Sequence, residues 1–86
     1  MKNIEDKLNQ IQENPQNVRF RDLCEICDYY FGPPRIQKGS HRVYKMPWTG
    51  DPRVNIQNQK GMAKTYQVRQ VLKAIEKMEI KNDINR

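Results

Sequence analysis

Phe31-Gly32-Pro33-Pro34 divides this chain into two stretches of different periodicity. Consecutive prolines offer no amide hydrogen to a helix, and each biases the residue before it toward extended backbone. No helix runs through them, so the helical pattern ahead of the stop must end at Phe31. The chain behind it must begin as something else.

Ahead of the stop, apolar residues recur at helical spacing. Ile4, Leu8 and Ile11 predict a first helix from about Ile4 to Glu13, with Glu5 and Asp6 at its positive N-terminal end and Asn14-Pro15 as its stop. Its apolar face is narrow, so it is expected to lean on the domain rather than build the core. Phe20, Cys24, Cys27 and Phe31, flanked by Leu23 and Tyr30, predict a second helix over Val18 to Phe31. Gly32 falls where a left-handed residue closes a helix.

Behind the stop, the pattern changes to alternation. Arg35 to Lys38, His41 to Pro47 and Arg53 to Gln57 predict three strands, with Gly39-Ser40 as a turn and Val54 and Ile56 on one face. Trp48 to Pro52 and Asn58 to Lys64 are expected as loops. Thr65 is the expected N-cap of a last helix reaching about Met78, with Val68, Val71, Leu72, Ile75 and Met78 on one face and Arg69, Lys73 and Lys77 on the other. A polar tail is expected to fray.

The expected class is α+β: a three-stranded antiparallel sheet covered by two helices, the layout of double-stranded-RNA-binding domains, with an extra N-terminal helix. The expected divisions are a helix extension over 1–16, a domain over 17–80 and a tail over 81–86. With 86 residues and 36% hydrophobic content, the core is thin and has no room for a large buried cofactor. Lys and Arg number 16 against 10 Asp and Glu, a net charge of +6. That balance points to a polyanion, RNA or DNA first and an acidic protein second. No apolar run is long enough to span a membrane and the N-terminus lacks a signal-peptide core, so the expected location is the cytoplasm.

Cys24-Glu25-Ile26-Cys27 has C-x-x-C spacing, but a zinc site needs about four ligands, and one histidine is all the chain could add. Both cysteines fall on the apolar stripe of the second helix, which favours packing over chemistry. The carboxylates form no convergent cluster of the kind a two-metal nuclease uses. Neither a metal centre nor another cofactor is expected. Tyr44, Met46 and Trp48 alternate along the second strand and its exit, which fits core packing or an aromatic platform for a base. Both faces of that strand mix apolar and charged residues, so the pattern leaves open which face is covered.

His41 is the only histidine, and it follows Gly39-Ser40 directly. A lone histidine is more often structural than catalytic. Here Gly39 permits close backbone approach, Ser40 can donate a hydrogen bond, and Lys38, Arg42 and Lys45 supply positive charge. Nearby cations favour the neutral imidazole, which can accept a proton. An imidazole base among cations is a workable kit for RNA cleavage without a metal.

"KGSHRVYKMP", followed by "RVNIQNQKGMAKTYQVRQVLKAIEKM", resembles HicA-type toxins, the mRNA interferases of type II toxin–antitoxin pairs. The resemblance spans Val18 to Met78. It implies a double-stranded-RNA-binding-like fold, cytosolic cleavage of mRNA and neutralisation by a HicB-type antitoxin. It places the catalytic histidine at His41 and the positioning pair at Gly39 and Ser40. Many members carry a second histidine or another basic residue after the third strand, where this chain has Gln57-Asn58-Gln59-Lys60. Three readings follow: a metal-independent endoribonuclease with His41 as general acid or base, a non-catalytic RNA-binding module, and an interaction protein whose basic face serves an acidic partner.

Overall fold

A computed structural model describes residues 3–48 and 52–84, with side chains through residue 79. The elements in order are α1 (Ile4–Glu13), α2 (Phe20–Phe31), β1 (Ile36–Lys38), β2 (His41–Lys45), β3 (Arg53–Gln59), β4 (Met62–Ala63) and α3 (Thr65–Ile84). The four strands form one antiparallel sheet in the order β1-β2-β3-β4. The α+β class is as expected, but the sheet has one strand more.

That strand arises where a loop was expected. Lys60 and Gly61 sit at φ 52° and 85° between the paired residues Gln59 and Met62. Two consecutive left-handed residues make the twist of a two-residue hairpin turn. The Asn58 carboxamide closes it by accepting from the Gly61 amide at 2.6 Å. The missed signal was Lys-Gly, taken as part of a loop when it acts as a turn pair. β4 also explains why α2 starts at Phe20 and not Val18. Val18 accepts a hydrogen bond from the Ala63 amide at 2.8 Å, and Phe20 donates to the Gly61 carbonyl at 3.0 Å. Val18 and Arg19 thus run as extended chain beside β4.

The end of α2 differs in detail. Gly32 has φ 83° and ψ −171°, a glycine conformation with positive φ but extended ψ, and not the left-handed helical one. At the far end, α3 continues to Ile84, beyond the expected Met78 and through most of the expected tail, and Thr65 is its first helical residue, not its cap. The tip of the loop between β2 and β3, residues 49–51, and the end of the tail, residues 85 and 86, lie outside the described residues.

Burial settles which face of the sheet is covered. Tyr44, Met46, Val54 and Ile56 are buried and face α2 and α3, while His41, Lys45, Arg53 and Asn55 are exposed. Tyr44 is fully buried and donates its hydroxyl to Asp28 Oδ1 at 2.6 Å, which ties β2 to α2. Leu23, Ile26, Val68, Val71 and Ile75 fill the space between helices and sheet. Each such side chain contributes about 1.5–3 kcal/mol relative to exposure. α1 does more than lean. Leu8 and Ile11 are buried in the same core, and Lys7 pairs with Asp22 and Glu25 of α2.

Cys24 and Cys27 are free and buried on the inner face of α2. Burial, reinforced by Cys24 and Asp28, pushes the Cys27 thiol far above its ordinary value of 9.0. Tyr44 is pushed up as well, first by burial and then by its bond to Asp28. Both groups stay neutral when folded and ionise more easily when unfolded. Their contribution is therefore complete below pH 9 and is lost as pH rises. Under reducing conditions, urea unfolding should show stability falling by about 1 kcal/mol between pH 9 and pH 10, with part of that slope absent in Cys27→Ala. A flat profile would contradict the burial.

Lys60 gives a second expectation. A side chain at positive φ is strained, and asparagine tolerates that position better. Lys60→Asn should raise stability by about 0.5–1 kcal/mol, a gain in Tm of about 3–6 °C by calorimetry. An unchanged or lower Tm would mean that the turn is relaxed with lysine.

Candidate nucleic-acid interface

The β1–β2 hairpin builds the candidate site. Lys38 pairs with His41, leaving Gly39 and Ser40 as a two-residue loop. Gly39 has φ 58°, and a Cβ placed there would meet nothing within 4 Å. The glycine supplies the positive-φ conformation of a turn that matches strand twist, and the space above it is open. Ser40 is held through its main chain, its carbonyl accepting from the Asn58 amide at 2.9 Å.

This turn fixes the parity of β2. His41, Val43 and Lys45 point to the open face, and Arg42 and Tyr44 to the covered one. Across the ladder, His41 stands opposite Gln57 on β3 as well as Lys38 on β1, Val43 opposite Asn55, and Lys45 opposite Arg53. The open face therefore carries Lys38, His41, Lys45 and Arg53 with two amide side chains between them. Ile36, 44% exposed, and the half-buried Val43 are its apolar members. Among the residues named on this face there is no Phe, Tyr or Trp, and the His41 imidazole is the one ring on which a base could stack.

Of the six residues singled out from sequence, the structure brings Lys38, Gly39, Ser40 and His41 together at one end of the open face. Lys45 shares the face at its other end. Four residue steps of extended chain separate it from His41, roughly 13 Å. Arg42 does not join them. It lies on the covered side, with Nη1 3.6 Å from Asp28 Oδ2, and helps hold the Asp28–Tyr44 bond between α2 and the sheet. Sequence adjacency grouped it with His41, and strand alternation places it on the opposite side of β2, in a partly exposed ion pair with Asp28.

Trp48 is likewise on the covered side. It packs half-buried against the core, with Lys77 Nζ 4.4 Å from its ring centroid. Tyr44 and Met46 are buried, so the alternating trio is packing and not a base platform on the His41 face. The cation missed as a member of the open face is that of β3, Arg53. Arg53 was readable, because a three-stranded meander places it beside β2, but its register against Lys45 was not. Among the described residues no group of three or more His, Cys, Asp or Glu side chains is placed to hold a metal ion.

No helix among the described residues is long and apolar enough to cross a membrane. Comparison of the chain with protein-family models, with curated proteins and with solved structures returned no match.

Proposed function

We propose that the chain is an RNA-cleaving toxin of the HicA type, with a double-stranded-RNA-binding-like fold, that it acts on mRNA in the cytoplasm and that a HicB-type antitoxin neutralises it. The observation that carries the reading is the placement of His41. The only imidazole of the chain is exposed on the uncovered sheet face, beside a fixed turn and directly across from Lys38.

The chemistry then follows from the groups at hand. The His41 imidazole takes the proton of an RNA 2′-hydroxyl. The 2′-oxygen attacks the adjacent phosphorus, and the bond to the 5′-oxygen breaks, leaving a 2′,3′-cyclic phosphate. Lys38 stabilises the charge that grows on the phosphate. The proton returns to the leaving oxygen from the protonated His41 or from water. Gln57, opposite His41, is a neutral amide and cannot serve as a second proton carrier. Turnover by one imidazole is expected to be slow. Lys45, too far along the strand for the same phosphate, serves a neighbouring one. No metal is used in this scheme. An acidic antitoxin surface laid over the open face would meet the same cations and block RNA.

Purified chain should cleave a defined single-stranded RNA with EDTA present, and His41→Ala, prepared identically, should be inactive while still binding that RNA. Product ends should be 2′,3′-cyclic phosphates. Equal cleavage by both proteins would sink the assignment of His41. RNA binding without cleavage by either would replace the nuclease with a binding module of the same fold.

A further inference from the structure

We propose that the free edge of β3, beside α3, takes up an acidic extended peptide from a partner protein as an added strand. The hydrogen-bond parity of the sheet defines that edge. Asn58 donates to Ser40 at 2.9 Å and Met46 to Pro52 at 3.0 Å. Hydrogen-bonded and non-bonded pairs alternate in an antiparallel ladder, so the even-numbered residues of β3 bond to β2. The odd-numbered ones turn their main-chain groups to the outer edge.

The chain covers that edge only in part. β4 pairs with Asn58 and Gln59. One step along, the buried Gln67 of α3 reaches over and accepts from the Gln57 amide at 2.8 Å. At Asn55 neither device is present, so its amide and carbonyl face outward with no strand beside them among the described residues. An edge in that state is a template for another strand.

A groove of about 400 Å³ lies between this edge and α3. Met46, Trp48 and Ala74 give it an apolar floor, and Lys73 and Lys77 stand on its helical side. It is lined by three cations and no carboxylate among the described residues. A strand laid in such a groove bonds its main chain to the edge and sends alternate side chains down onto the floor. The floor fits an aliphatic side chain, and the lysines fit carboxylates flanking it. The site uses neither His41 nor Lys38, so it stands or falls apart from the nuclease reading.

The test is an NMR titration of the intact chain with the capped peptide acetyl-Glu-Val-Asp-Val-Glu-Leu-amide. Micromolar binding is expected, with the Asn55 amide among the most shifted signals and newly protected from exchange. Asn55→Pro should weaken binding about tenfold or more, since proline removes an edge donor that the β2–β3 ladder does not use. Lys73→Glu with Lys77→Glu should weaken it similarly, which keeps the test decisive if the proline variant fails to fold. The same peptide with lysine in place of each acid should not bind. Shifts confined to Lys38, His41 and Lys45 would overturn the proposal by placing the peptide on the open face. Absence of binding at millimolar peptide would overturn it too. So would a concentration-dependent dimer closed at Asn55 without peptide, which would assign the edge to a second copy.

Discussion

The hydrogen bond from Tyr44 to Asp28 fixes which way the sheet faces, and the rest of the molecule follows from that choice. It joins the middle strand to α2 through a side chain with no exposed surface. Alternation then does the remaining sorting. With Tyr44 inward, Met46, Val54 and Ile56 are inward, and His41, Lys45, Arg53 and Asn55 must be outward. A one-residue slip of β2 would bury the imidazole and expose the tyrosine. The glycine turn before His41 and the paired turn at Lys60-Gly61 hold the register of the β1–β2 and β3–β4 hairpins.

Much of the fold was legible because its signals are local. The prolines after Phe31, the 3.6-residue stripes of α1, α2 and α3, and the alternation of Val54 and Ile56 each identify an element without reference to the others. What was not legible depended on partners distant in sequence. β4 has two residues, and besides its turn at Lys60-Gly61 it is held by Val18, more than forty positions earlier, which runs beside Ala63. The covered face of β2 could not be chosen from its own residues, since both faces mix apolar and charged groups. The side of the sheet on which Arg42 lies was open for that reason. Its ion pair with Asp28 requires knowing that α2 lies on its side.

The candidate site divides the same way. Gly39, Ser40 and His41 are contiguous, so their grouping needed only the chain. Lys38 joined them through the hairpin, which the turn residues announced. The facing of Lys45 by Arg53, and of His41 by Gln57, came from a register between strands separated by a loop. That register bears on the proposed chemistry: the residue opposite the imidazole on β3 is an amide, so the proposed acid–base steps rest on one group.

RNA contact with the open sheet face is the claim on which the functional account depends. The most direct measurement is an NMR titration with a short single-stranded RNA carrying 2′-O-methyl groups, which binds without being cut. The account predicts shifts at Lys38, His41, Val43, Lys45 and Gln57, fading as salt is raised, with Tyr44 and Arg42 little changed. Shifts confined to the helical side of the molecule, or none at low salt, would contradict it.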